Sequence, residues 1–244
     1  MKIQIIILST LILLLCSCRK ELEYPPQDET GHVTFMVESI SRNSQEGDFQ
    51  DGDAIGIFAI EPITGVYWAT NNKYVYDGNK FKPATEEDDI VVTKGTDFDF
   101  YVYYPYDPNQ NDITNISHVC IDQDTKSGWV SSDFMTATYT DAIIDYSIPL
   151  QFKHNYATVE VHVNKNDGVT AATLKNVKYS SRINLLTGQS ITEDSRINLK
   201  MYCYNANDNG NAIFRCTVPV QTLSALSNYV TLSGNTSIDL LAES

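Results

Sequence analysis

Beyond its first 15 residues the chain has no apolar run long enough to cross a bilayer as a helix. It is also poor in positive charge, because 17 Lys and Arg residues face 31 Asp and Glu residues and the formal net charge is −14. An acidic surface of this kind repels nucleic acid and anionic lipid headgroups. The composition therefore argues against a nucleic-acid-binding protein and against a helical multi-span membrane protein.

The sequence also lacks the patterns that are typical of catalytic or metal sites. Its four histidines do not have zinc-site spacing, and no nucleophile elbow, phosphate loop or pair of catalytic carboxylates stands out. Two Asx-rich segments, 107–112 and 205–210, place oxygen ligands at alternate positions but lack the final glutamate of a calcium-binding loop. We interpret both as Asx turns and expect no metal, no cofactor and no enzymatic activity.

Residues 1–17 are interpreted as a signal peptide, with one lysine before an apolar stretch at 3–15. The stretch ends in Leu15-Cys16-Ser17-Cys18, which resembles the bacterial lipobox and implies cleavage before Cys18 and acylation of its sulfur. An ordinary cut near Ser17, which leaves Cys18 free, is the alternative. Residues 18–31 are polar and proline-bearing, and we interpret them as the lipidated tether.

The mature chain remains strongly acidic. Only Lys2 is lost with the signal, so 16 basic residues face 31 acidic ones and the net charge becomes −15. Each buried acyl methylene contributes about 0.8 kcal/mol, so several acyl chains hold a protein at a bilayer. We expect a lipid-anchored protein of the outer membrane or cell surface whose Cys18 acyl chains enter the bilayer.

After the tether, apolar residues recur with a period of two. The pattern is clear at residues 33–38 and at 159–164, while Ala54–Ile60 is a continuous apolar run. Turn pairs such as Asp51-Gly52 recur about every ten residues, and no helical period exceeds about two turns. The pattern predicts an all-β fold of antiparallel sandwiches, in which Glu160, His162 and Asn164 face water.

Aromatic residues are concentrated before residue 157, and Asn, Thr and Ser dominate afterwards. This shift predicts two domains, residues 32–152 and residues 153–244. The tyrosine-rich segment 101–106 allows two interpretations: packing within the sheet and core, or an exposed platform for sugar binding.

Five segments, taken in order, resemble the fimbrillins of Bacteroidales. They are Phe49–Ala59 (FQDGDAIGIFA), Asn72–Pro83 (NKYVYDGNKFKP), Phe100–Tyr106 (FYVYYPY), Ser132–Ala137 (SDFMTA) and Ile148–Ala157 (IPLQFKHNYA). The resemblance implies two transthyretin-like, Greek-key β-sandwich domains after a lipoprotein signal peptide. It also implies assembly into or beside type V fimbriae, in which an arginine-directed protease removes an N-terminal strand and a neighbouring subunit's strand fills the groove.

Arg42 is the candidate processing site by this analogy, because it follows the first alternating strand and leads into a polar stretch. An ordinary surface arginine is the alternative. The partners implied are other fimbrillin-like subunits, bound by donor-strand exchange. The last strand signal, Thr236–Leu241, covers only about 20 Å. If it belongs to the second domain's own sheet, we expect the chain to accept a strand as a tip or accessory subunit.

A two-residue hairpin turn at Asn209-Gly210 would place Cys203 opposite Cys216 in a non-hydrogen-bonded pair. That geometry predicts a disulfide, with two free, half-buried thiols as the alternative. Cys120 would be left buried without a partner. The leading function is a structural or adhesive fimbrillin-like subunit. The alternative is a surface glycan-binding lipoprotein, whose host or glycan ligand the sequence does not name and whose tyrosines would be exposed.

Overall fold

The computed structural model describes residues 29–41, 49–143, 145–164, 168–204, 211–224, 229–234 and 238–241. Within these ranges the chain forms nineteen strands and one six-residue helix, so the predicted all-β class is confirmed. The described residues include no helix with the length and apolar character needed to cross a bilayer.

The first ten strands are β1 (Thr30–His32), β2 (Thr34–Ser41), β3 (Ala54–Ile60), β4 (Tyr67–Tyr76), β5 (Phe81–Pro83), β6 (Val91–Thr93), β7 (Asp99–Tyr104), β8 (Ile116–Val119), β9 (Met135–Tyr139) and β10 (Ser147–His154). The helix α1 (Lys126–Ser131) lies between β8 and β9. The later strands are β11 (Tyr156–Asn164), β12 (Val169–Lys178), β13 (Ser180–Asn184), β14 (Gln189–Thr192), β15 (Arg196–Lys200), β16 (Tyr202–Tyr204), β17 (Asn211–Pro219), β18 (Tyr229–Gly234) and β19 (Ile238–Leu241).

Seven early strands close into a barrel in the order β10-β2-β5-β4-β3-β7-β9. The predicted run Ala54–Ile60 is β3, which pairs with β4 and β7. Its apolar residues are continuous because both of its faces are buried: Ile55 and Ile57 point into the barrel, and Phe58 points into a second cluster outside it. Gly56 is required there because a Cβ would collide with the ring of Tyr103.

One barrel pair differs from the antiparallel expectation. Strand β2 runs parallel to β10 over seven residue pairs, whereas β5 on its other side is antiparallel. Parallel neighbours need a long connection. Here almost the whole barrel separates the two strands in sequence, because β2 opens it and β10 closes it.

The later strands form two facing sheets, β11-β17-β16 and β15-β12-β18-β19. Their inner side chains make a separate core that includes Leu174, Leu199 and Phe214. The alternation predicted for β11 is confirmed, because Glu160, His162 and Asn164 are exposed. Strand β17 is buried from residue 212 to residue 219. Beyond the residues that pair with β16, its edge is paired by the Gln123 side chain, which exchanges two hydrogen bonds, of 2.6 and 2.7 Å, with the backbone of Thr217.

The early and late parts are joined by a third sheet, β14-β13-β8. Strand β8 comes from the early part and pairs antiparallel with β13 from the late part. Below this sheet lies a mixed cluster that contains Phe58, Phe134 and Ile183. Strand β10, which closes the barrel, ends at His154, and β11 begins at Tyr156, close to the predicted boundary between residues 152 and 153. The division into two domains stays a prediction.

The predicted cysteine register is wrong. Cys203 lies opposite Phe214, two residues away from the expected partner, and both Cys203 and Cys216 are free thiols. A shift of two residues keeps both side chains on the same face of the sheet. Cys203 and Cys216 are therefore diagonal neighbours instead of a direct pair. Their Cα atoms are then roughly 7–8 Å apart, which is too far for a disulfide. The turn at Asn209-Gly210 lies outside the described residues. Cys120 is buried, as expected.

Candidate functional site

The candidate site is the groove that holds β2 in the barrel wall. Strand β2 lies between β10, with which it pairs over seven residues, and β5, with which it pairs at Phe35. The register against β10 shifts between Leu150 and Gln151, where Glu38 is the extra residue of a bulge. We call residues 29–41, which comprise Glu29, β1, Val33 and β2, the N-terminal strap.

Apolar side chains of the strap enter the barrel core. Val33 and Phe35 are completely buried, and the Phe35 ring makes edge contacts with Tyr74 at 5.1 Å and Phe100 at 5.3 Å. Val37 and Ile40 are partly buried against the same core. Because the bulge inserts one residue, the inward-facing positions follow a spacing of two, two and three residues instead of strict alternation.

Backbone and side-chain hydrogen bonds hold the edges of the strap. The Val33 amide donates to the Ile90 carbonyl at 2.9 Å, and the Thr34 amide donates to the Tyr146 carbonyl at 2.8 Å. The hydroxyls of Thr34 and Ser147 are 3.4 Å apart. The core anchors and these bonds lie together near the start of β2, so the strap is held most firmly there.

The start of the strap is fixed by a second, smaller sheet. Strand β1 pairs with β6 over three residues, and the Glu29 carbonyl accepts bonds from the Lys94 amide at 2.8 Å and the Tyr146 hydroxyl at 2.6 Å. Gly31 lies flat against the Tyr146 ring, where a Cβ would come within 2.5 Å of ring carbon. The contact between Gly31 and Tyr146 was not predicted from the sequence, because neither residue belongs to an alternating pattern.

The groove floor is apolar with buried phenol groups. The Tyr74 hydroxyl accepts a bond from the Ile90 amide at 3.1 Å, and burial raises the pKa of this phenol above its usual range. It therefore stays neutral at physiological pH. Without the strap, this floor and the backbone groups of β10 would be uncovered, and unpaired backbone at a sheet edge binds a further strand readily.

The chain that follows the predicted cut at Arg42 is held in the barrel core by Phe49. Phe49 resumes the described chain after β2, and its ring packs at 4.9 Å from both Phe81 and Phe152 and at 5.2 Å from Tyr104. The chain on this side is therefore fixed to the core independently of the strap. Sequence reasoning noticed Phe49 only as part of a family-like motif, since the neighbouring residues are polar.

A family model described as fimbrillin-like matches residues 41–240, which is most of the chain. The chain belongs to the fimbrillin-like family. No curated protein sequence matches it. The match begins at the last residue of β2, so almost all of the strap lies before the matched residues.

Solved structures show the same fold as this fimbrillin-like chain at low identity. A Bacteroides uniformis ATCC 8492 protein proposed to act in cell adhesion gives a TM-score of 0.64 with 16% identity, and the match covers 88% of this chain and 85% of that one. One from Bacteroides ovatus ATCC 8483, with the same proposed role, gives 0.66 with 15% identity and coverages of 88% and 86%. A fimbrial protein from that strain gives 0.51 with 16% identity, over 86% of this chain and 45% of the other.

Other predicted site residues of this fimbrillin-like chain lie away from the groove or outside the described ranges. Arg42 follows β2 directly in sequence, but Arg42 and Cys18 are both outside the described residues. Cys203 and Cys216 belong to the late sheets.

The tyrosine-rich segment 101–106 packs mainly into the fold. Tyr103 and Tyr104 are buried, and the Tyr103 hydroxyl donates to Asn71 Oδ1 at 2.7 Å. Burial raises the pKa of both phenols above its usual range. The segment therefore favours the core-packing interpretation over an exposed sugar platform.

The first Asx-rich segment forms the expected turn. The Asp107 carboxylate accepts the backbone amide of Asn109 at 2.9 Å and the side-chain amide of Gln110 at 3.0 Å. These local bonds use the oxygens that a calcium ion would need. Among the described residues no group of three His, Cys, Asp or Glu side chains is arranged to hold a metal. The second segment, 205–210, lies outside those residues.

Proposed function

We propose that this protein is a structural or adhesive surface lipoprotein that assembles into or beside fimbriae by strand exchange. Membership of the fimbrillin-like family supports a non-enzymatic role at the cell surface. The similar solved proteins, described as fimbrial or proposed to act in cell adhesion, agree with this role.

The observation that carries the proposal is the position of the strap. Strand β2 of the strap is one of the barrel strands, and only a few strap side chains enter the core. The candidate cleavage residue Arg42 follows β2 immediately in sequence. A cut after Arg42 would leave the strap attached by non-covalent contacts alone. A strand from a neighbouring subunit could then replace it without rearrangement of the barrel, because Phe49 keeps the next segment in place.

The groove defines what an incoming strand must look like. The strap fills it with Val33, Phe35, Val37 and Ile40, so apolar side chains are needed at positions i, i+2, i+4 and i+7. The second of these should be aromatic or otherwise large, because Phe35 lies against two rings. Main-chain pairing with β10 supplies affinity and these pockets supply selectivity.

The groove that holds β2 would let this subunit accept a strand from a neighbour. Strand β19 pairs with β18 in the chain's own late sheet over four residue pairs, so β19 is engaged within its own molecule. We place the chain at a tip or accessory position, where a groove is offered to a neighbour. The Cys18 lipid would hold the protein on the outer membrane until Arg42 is cut and a neighbour's strand replaces the strap.

The test begins with the intact, folded protein and an arginine-specific protease. We expect a cut after Arg42, no cut in Arg42→Lys, and a stoichiometric complex between the cut protein and a peptide that copies a related subunit's C-terminal strand. A peptide with aspartate at the aromatic position is the control and should not bind. Resistance of Arg42 while other arginines are cut would refute the processing step, and a cut protein that binds neither peptide would refute strand exchange.

A further inference from the structure

An open cleft of about 280 Å³ lies between the barrel wall and the turn that joins β13 to β14. Outward-facing residues of β7, β9 and β10 form one side, and Leu185–Gly188 form the other. Ile183 and Leu185 are buried at its apolar base. No residue of the N-terminal strap lines this cleft, although Lys153 on β10 is the backbone partner of Ser41 at the end of the strap.

Three polar groups in the cleft are available to a ligand. The Lys153 ammonium and the hydroxyls of Thr138 and Thr140 have no hydrogen-bond or ion-pair partner among the described residues. The neighbouring Thr136 hydroxyl already accepts a bond from the Asn155 side chain at 3.0 Å. No acidic side chain lines the cleft, although the protein as a whole carries a net charge of −14. An unpaired ammonium in such a concave site favours an anion.

The turn opposite Lys153 is held in a fixed shape. Asn184 Oδ1 accepts the amides of Leu186 at 3.0 Å and Thr187 at 3.3 Å, and Gly188 has a φ of +70°. The Lys153 Nζ atom lies 3.7 Å from where a Gly188 Cβ would be, so the ammonium lies beside the turn at contact distance. The cleft is therefore formed before any ligand arrives.

We propose that this cleft binds a carboxylated sugar, the acidic residue of a glycan or the free sugar acid. The Lys153 ammonium would bind the carboxylate, and Thr138 and Thr140 would bond ring hydroxyls. The Tyr101 ring and the exposed Leu186 offer apolar surface to the face of a sugar ring. The volume lies at the lower end for small-molecule sites, which suits one monosaccharide. One lysine matches one carboxylate, whereas a phosphate dianion would keep an unbalanced charge.

The test is titration of the full-length protein with N-acetylneuraminic acid and glucuronic acid, followed by NMR, with glucose as the neutral control. We expect both acids to bind and glucose not to bind. Lys153→Gln should weaken binding about tenfold or more, because a charge-assisted hydrogen bond is lost. Thr138→Phe should abolish binding, because the ring fills the cleft from an exposed strand position.

The matched control is Lys200→Gln, which removes another exposed lysine that pairs with Asp124 at 3.6 Å and does not line the cleft. It should bind as the unaltered protein does. Equal binding of glucose, no binding of either acid, or full affinity in Lys153→Gln would overturn the proposal. A glycan array then separates the two sources: retention of acid-terminated glycans supports a glycan ligand, and binding of the free acids alone supports a small sugar acid.

Discussion

Single residues differ sharply in what they contribute to the strap. Phe35 and Met36 are neighbours on β2, but Phe35 is completely buried between Tyr74 and Phe100 while Met36 is 41% exposed. Their alternation was evident in the sequence. The two rings that surround Phe35 were not, because they come from strands far away in the chain.

Phe35→Ala should lower the free energy of unfolding by about 3–5 kcal/mol, since it removes a large buried ring and leaves a cavity. Met36→Ala is the matched control and should change it by less than about 0.5 kcal/mol, because the side chain lies on the outer face. Chemical denaturation of both variants measures the difference. Similar losses in the two would mean that β2 does not have the described register.

His118 gives the contact between the early and late parts a dependence on pH. Its ring stacks on Phe134 at 5.0 Å, Nε2 lies 3.2 Å from the Ser132 carbonyl, and burial lowers the pKa of the imidazole to about 4 from its usual 6.5. The unfolded chain therefore takes up this proton at a higher pH than the folded chain. Stability should be full above about pH 6.5 and fall as the pH decreases towards 4.

His118→Gln should lack this part of the acid-induced loss. The measurement is the free energy of unfolding of both proteins from neutral pH to about pH 4, with the difference between them isolating His118 from the carboxylates. A difference that stays constant over the whole range would show that His118 does not titrate in this way.

The residues that face Cys203 and Cys216 could not be predicted from the sequence. The sequence places Cys203 and Cys216 on two strands of one hairpin, which the structure bears out. The exact pairing depends on the turn between them, and a change of two residues preserves every inward and outward preference. Hydrophobic pattern alone cannot separate such registers.

Whole strands were predicted best where burial imposes a pattern. Strand β3 was predicted with its exact ends, and β11 with its correct exposed face. Three-residue strands such as β1, β5 and β6 are too short to show any period. The parallel pairing of β2 with β10 could not be predicted either, because local pattern carries no information about a partner more than 100 residues away.

As an element, the strap should survive a cut in the chain that follows it. After cleavage at Arg42, its pairing with β10 and β6 and the buried Phe35 remain. We expect the N-terminal fragment to co-elute with the body in size-exclusion chromatography when no donor-strand peptide is present, and to separate in denaturant. Cut Phe35→Ala protein should release it without denaturant, since its main apolar anchor is missing. Immediate release from cut, unaltered protein would contradict this description of the groove.

At the scale of the whole molecule, composition and motif order gave the all-β class and the family. The shared sheet β14-β13-β8 was not predicted, because β8 and β13 belong to segments that the sequence assigns to separate domains. The cleft beside β13 was missed for the same reason, since it is assembled from both segments.

The predicted lipid anchor at Cys18 would decide where the whole molecule is located. Before any cut at Arg42, we expect the exported protein to begin at Cys18 with lipid on its sulfur, because the small residue Ser17 directly precedes Cys18 after the apolar stretch 3–15. Mass spectrometry of the N-terminus measures this. Cys18→Ala should leave the membrane fraction, and an unmodified Cys18 or a start elsewhere would refute the lipid anchor.

Replacement of the strap by a partner strand can be blocked and restored with a reversible disulfide. Thr34 and Ser147 are paired residues with hydroxyls 3.4 Å apart, so Thr34→Cys with Ser147→Cys should bond the strap to β10. Each single variant serves as a control. After cleavage at Arg42, uptake of the donor-strand peptide is followed by native mass spectrometry. We expect no uptake by the oxidised double variant and full uptake, with release of the strap, once reductant is added. Equal uptake in the oxidised and reduced forms would contradict this replacement.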